Sequence, residues 1–164
     1  MSYNLLLIDA ARTAENMGKA KELNPQHQSL YKGMAEEDLS DVSPYIFSCE
    51  KNSDFSNWYA EKGWGDAWGL ILKSAFTFEE TYRHLKKFLL VKTENGEELY
   101  FRFYDPRVLK IFLPTCDKKQ ILEFFGPIES FICEGDNKNE AIIFKHKNGE
   151  LTEEKIPATK MFGN

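Results

Sequence analysis

Cysteine, histidine and acidic side chains are the usual carriers of catalysis or metal binding, and this chain of 164 residues has three cysteines and three histidines. Cys49, Cys116 and Cys133 show no C-x-x-C spacing, so neither a zinc site nor a dithiol redox pair is indicated. A sparse, odd set reads as free thiols in a reducing compartment. His27, His84 and His146 are scattered; His84 follows Glu80 by one helical turn and reads as a helix-surface or core-edge residue able to pair with it. Gly63-Trp64-Gly65-Asp66-Ala67-Trp68-Gly69 is glycine-rich, but its spacing misses the dinucleotide fingerprint and a strand follows it. It reads as a turn packed by tryptophans. Asp136-Asn137-Lys138-Asn139-Glu140 has some acids of a calcium loop, yet Lys138 stands where such a loop needs an oxygen ligand, so a solvated hairpin tip is expected. No G-x-S-x-G elbow, Walker loop or H-E-x-x-H helix occurs. No catalytic residue, metal ligand or cofactor is therefore expected.

The more informative polar cluster is Arg102, Asp105 and Arg107. It has two readings. Asp105 can cap the amides of a following helix while guanidinium forks lock a strand-to-helix corner. The arginines can instead form a recognition surface together with Arg83, Lys86, Lys87 and Lys110. Trp58, Tyr59, Trp64 and Trp68 likewise suit a core or an interface, with the core preferred.

The elements that would position these residues follow from periodicity and caps. Residues 4–9 are a continuous apolar run, as in a strand covered on both faces. A helix is expected over Thr13–Leu23, another around Met34–Val42, and a strand over Ser43–Cys49. Ser53 or Asn52 can cap a helix that presents Phe55, Trp58 and Tyr59 on one face and stops at Gly63. Trp68, Leu70 and Leu72 alternate with Gly69 and Ile71 in a buried strand. Thr77 and Glu80 have capping-box spacing ahead of Phe78, Tyr82, Leu85 and Leu89. Asn95-Gly96 then signals a hairpin in the main sheet, with Glu98–Tyr104 as an alternating return strand. Asp105-Pro106 opens one short helix and Asp117 the next, which Gly126-Pro127 ends. Three strands close the chain: Ile128–Glu134, Glu140–Lys147 and Glu150–Ile156. The fold class is mixed α/β, a mixed β-sheet covered by helices and followed by an antiparallel β-meander, in one domain over 1–164.

Net charge of −5 opposes binding to nucleic acid or anionic membrane. Aromatic residues make up 14% of the chain, which argues for a well-filled core and against disorder. The apolar run near the N-terminus lacks a basic flank, so it reads as a strand and not a signal peptide, and no membrane insertion is expected. A cytoplasmic protein, monomeric when free, is the expectation.

Read in order, Asn4-Leu-Leu-Leu-Ile-Asp9, Ser29-Leu-Tyr-Lys-Gly33, Val42-Ser-Pro-Tyr45, Arg83-His-Leu-Lys-Lys-Phe88, Tyr100-Phe-Arg-Phe-Tyr-Asp-Pro-Arg-Val-Leu109 and Phe124-Phe-Gly-Pro127 resemble the type VI secretion effector-chaperone, or adaptor, family. The family was long catalogued as a domain of unknown function. The resemblance covers residues 4–135 and leaves 136–164 as a hairpin and tail, where many relatives continue further. It implies a non-catalytic carrier that binds a toxic effector in the cytoplasm and assists its loading onto the spike protein of the secretion apparatus. It also implies signature positions at His84, Arg102, Asp105, Pro106 and Arg107. Lys86-Lys87 departs from the arginines that the family often has there, and lysine lacks the bidentate fork. The alternatives are an immunity-type protein that neutralises a toxin, and a small hydrolase whose Cys–His or Asp–His site assembles only in three dimensions.

Overall fold

A computed structural model describes residues 3–31 and 42–162. Along the chain come β1 (Tyr3–Asp9), α1 (Ala10–Thr13), α2 (Asn16–Leu23), β2 (His27–Ser29), β3 (Pro44–Ser48), α3 (Asp54–Lys62), β4 (Gly69–Ser74) and α4 (Phe78–Lys86). Then follow β5 (Leu90–Lys92), β6 (Glu98–Tyr100), α5 (Pro106–Phe112), α6 (Lys118–Phe125), β7 (Ile128–Glu134), β8 (Glu140–Lys147), β9 (Glu150–Pro157) and α7 (Thr159–Phe162). The main sheet has the order β2-β3-β1-β4-β7-β8-β9, and β5-β6 stand apart as a two-stranded ribbon. The α/β class and the terminal meander are as expected, but every ladder among the described residues is antiparallel where a mixed sheet was expected.

The unbroken apolar run of β1 has a direct structural cause. Successive strand residues point to opposite faces, and here both faces are covered. Leu5 and Leu7 join Ile46, Leu70, Leu72 and Phe131 in one core, which α4, α5 and α6 close with Leu85, Leu109 and Phe124. Leu6 and Ile8 join Tyr45 and Phe47 in a second core, closed by Met17, Phe55, Tyr59, Trp64 and Trp68. In the first core Phe124 is the hub, with the rings of Phe88, Phe103, Phe112 and Phe131 within 5.0–5.7 Å of its own.

Local signals place most helix ends. Thr77 and Glu80 form the capping box of α4, Ser53 caps α3, and Asp105 caps α5 with Pro106 in the first turn. Asp117 caps α6 in a second box, in which Gln120 reaches back to the Asp117 amide. Asn148 and Gly149 both take positive φ, 52° and 84°, as a two-residue hairpin turn of the right twist requires.

Three further expectations need correction. The helix expected over Thr13–Leu23 is two helices, because Asp9 caps α1 at the strand end and Ala14 breaks the run at φ 49°. The Asn95-Gly96 hairpin lies outside the main sheet, since β4 pairs with β7 on the side where the ribbon would have joined. Only Gly96 takes positive φ there, so the turn belongs to a longer loop. The return strand ends at Tyr100 instead of Tyr104. Phe103 and Tyr104 are both buried, which neighbouring residues on a one-sided strand cannot achieve; the chain turns inward there to reach the Asp105 cap. The helix expected around Met34–Val42 lies outside the described residues, except for Val42.

Candidate functional site

The polar cluster separates into two pairs. At the corner before α5, Asp105 accepts from the Arg107 backbone amide at 2.9 Å, and both its oxygens accept from the Arg107 guanidinium, at 3.0 and 2.7 Å. Burial pushes the Asp105 carboxyl up, but the hydrogen bonds from Arg107 outweigh it and hold the group below its usual range. Arg102 turns elsewhere. Its Nη2 donates to Oδ2 of Asp9 at 2.5 Å, tying the segment before the corner to the end of β1. Asp9 is fully buried, and its other oxygen accepts from the Ala11 amide as the cap of α1. Beside this pair the hydroxyls of Tyr31 and Tyr104 share a hydrogen bond at 3.3 Å, and burial raises both phenols.

His84 does not pair with Glu80. It is buried, and its Nε2 lies 2.8 Å from the Phe124 carbonyl, so the ring donates there and pins α4 to the end of α6. Burial lowers its pKa, against the upward pull of that bond, and the imidazole is neutral at pH 7. Gly126 makes room for it. A Cβ at that position would come within 2.3 Å of the His84 ring, and φ there is +48°.

The four other basic residues divide between the end of α4, which carries Arg83, Lys86 and Lys87, and α5, which carries Lys110. Arg83 and Lys87 line an open cleft of about 770 Å³ with the half-exposed Phe76 and the His84 ring. Lys86 leans over the Tyr82 ring at 5.4 Å. Lys110 donates to the Glu134 and Gly135 carbonyls, where it fastens the end of β7.

The tryptophan turn is structural. Its organiser is Glu134, a buried carboxylate that accepts from the Gly65 and Ala67 amides at 2.7 and 2.8 Å. Burial raises its pKa. Tyr59, Trp64 and Trp68 are core residues, and Trp58 is half-buried against Trp68.

Nucleophilic chemistry finds little support. All three cysteines are free, and burial pushes the Cys49 thiol up to about 11 and that of Cys133 up to about 12. No Cys–His or Asp–His hydrogen bond occurs among the described residues. No group of three or more His, Cys, Asp or Glu side chains among the described residues is placed to hold a metal ion. No described helix is long and apolar enough to cross a membrane.

Sequence reasoning missed Asp9 and Glu134 as the acids that organise Arg102 and the tryptophan turn. A signal existed for each, an acid closing an otherwise apolar strand. Neither partner could be named locally, because they lie 93 and 67 to 69 residues away.

Val42, Phe76, Ile111 and Leu122 are exposed singly along the chain, whereas four exposed apolar side chains gather on the ribbon. Leu90 pairs with Tyr100 and Val91 with Leu99, and all four side chains are exposed, between 37% and 50%. Neighbouring residues of a strand face opposite ways, so Val91 and Leu99 make one face of the ribbon apolar, while Leu90 and Tyr100 share the other with Lys92 and Glu98.

No match was found among curated proteins or among solved structures. Residues 5–123 match the model of a family described as a domain of unknown function, DUF4123. That span holds both polar pairs, His84 and the ribbon, and the chain belongs to the DUF4123 family.

Proposed function

We propose that the chain is a non-catalytic adaptor that binds a type VI secretion effector in the cytoplasm and helps load it onto the spike protein. The observation that carries the reading is the ribbon. Two strands of three residues, outside the main sheet, leave Leu90, Val91, Leu99 and Tyr100 partly open to water, with Tyr100 beside the Tyr31 ring. A lone two-stranded hairpin is marginal in water, and exposed apolar clusters of this kind are stabilised when a partner covers them. The polar pairs support a structural role, since Asp9–Arg102 ties the segment before α5 to the end of β1 and Asp105–Arg107 caps α5. Membership of the DUF4123 family agrees with the resemblance drawn from the sequence.

The test is capture and delivery. The intact chain, used as bait against the products of neighbouring genes, should retain a toxin-like client. The double variant Val91→Lys/Leu99→Glu should lose the client while keeping its urea midpoint, because both side chains are exposed and the two opposite charges face each other across the ribbon. Deleting the protein should stop delivery of that toxin while the apparatus still assembles. Normal delivery without it, with the toxin neutralised in its presence, would overturn the adaptor reading in favour of an immunity protein.

A further inference from the structure

A pocket of about 300 Å³ opens on the face of the sheet that carries Leu6, Ile8 and Phe47, between α3 and α7. Its floor is apolar. Ile71 and Ile132 are cross-strand partners in the β4–β7 ladder, and Phe162 from α7 adds an aromatic wall. Its rim is cationic. Lys73 follows Ile71 by two residues, so it stands on the same face one step nearer the solvent, opposite Asn4 of β1. Lys51 and Lys160 reach the same opening from the loop before α3 and from α7.

The charge pattern is what makes this more than a surface dimple. The chain carries 26 acidic residues against 21 lysines and arginines, yet among the described residues no Asp or Glu lines the pocket. None of the three lysines forms an ion pair with a carboxylate among the described residues. Three cations gathered without counter-ions repel one another and favour an added anion, while the floor excludes water. At about 300 Å³ the space is at the small end of ligand pockets.

We propose that this pocket binds a carboxylate joined to a short apolar group, the head between Lys51, Lys73 and Lys160 and the tail on Ile71, Ile132 and Phe162. The inference does not depend on the adaptor reading. The ligand chemistry has two sources, a free short-chain acid or the C-terminal residue of another polypeptide.

Calorimetric titration of the intact chain separates them. Octanoate should bind at one saturable site, and each methylene gained from butanoate upward should tighten binding about fourfold until the floor is covered. Octan-1-ol, with the same tail and no charge, should bind at least about tenfold more weakly. Lys73→Gln/Lys160→Gln should weaken octanoate by a similar factor, and Lys73→Arg should retain it. Both lysines are exposed, so the variants should keep the parent urea midpoint. An acetylated dipeptide ending in leucine that displaces octanoate, while its C-terminal amide does not, assigns the source to a polypeptide end. Octanoate binding that this peptide leaves untouched assigns it to small acids. Equal binding of octanoate and octanol, unchanged affinity in the double lysine variant, or no binding by any of these acids would overturn the proposal.

Discussion

Asp9 and Arg102 form a pair whose two halves should be unequal when broken. Asp9 keeps 1% of its side-chain surface and Arg102 keeps 43%. Replacing Arg102 by methionine strands a carboxylate in the interior with only the Ala11 amide as donor. Breaking a fully buried pair costs about 3–5 kcal/mol, and the partial exposure of Arg102 puts the expected cost near the lower end, about 3 kcal/mol. Replacing Asp9 by asparagine keeps an oxygen for the α1 cap and frees a guanidinium that can turn to water. That change should cost about 1 kcal/mol. The double variant Asp9→Asn/Arg102→Met removes the stranded charge and should be more stable than Arg102→Met alone by about 1 kcal/mol or more. Urea unfolding read through the fluorescence of the buried Trp64 and Trp68 measures all three variants. At this chain length a 3 kcal/mol loss corresponds to a Tm drop of about 6–12 °C. An Arg102→Met cost no larger than that of Asp9→Asn, or a double variant as unstable as the sum of the two, would refute the reasoning.

At the neighbouring corner, Asp105→Ala should cost about 1–2 kcal/mol through loss of the α5 cap and the fork, with Asp105→Asn milder because an amide oxygen can still accept from the Arg107 amide. Urea midpoints test this, and unchanged stability with lost client binding would move the corner from scaffold to recognition surface. His84 makes the fold sensitive to pH. Burial lowers its pKa below the ordinary 6.5, so its contribution is complete above that value and is lost as pH falls through the lowered one. Glu134, raised by burial, works in the opposite sense as pH falls through its own raised value, so the readout is a difference. The gap between parent and His84→Gln midpoints should narrow from about pH 8 to about pH 5, and a constant gap would contradict the neutral, buried ring.

How much of this was legible beforehand depended on the range of the interaction. The caps at Ser53, Thr77, Asp105 and Asp117 are local, and so is the Asn148-Gly149 turn; each could be read within four or five residues. The pairing of Arg102 with Asp9 was not legible, because nothing near either residue names the other. The ribbon misled for a different reason. Residues 98–104 alternate as a one-sided strand would, but alternation cannot report that the chain turns at Phe103 to bury two consecutive aromatics. The basic residues failed as a set because charge type does not reveal which carbonyls lie nearby. Lys110 is consumed by the end of β7, whereas Arg83 and Lys87 face a cleft.

The two ends of the main sheet bear on how the molecule avoids its own kind. Open strand edges template pairing between copies, and natural sheets blunt them with short strands or charge. Among the described residues the sheet closes with the three-residue β2 on one side and on the other with β9, which carries Glu150, Glu153, Glu154 and Lys155. Neither invites a second chain to add a strand. The ribbon has short strands too, but Val91 and Leu99 make one of its faces apolar, so self-association that spares the sheet would begin there, and a partner seated on that face would shield the molecule from aggregation.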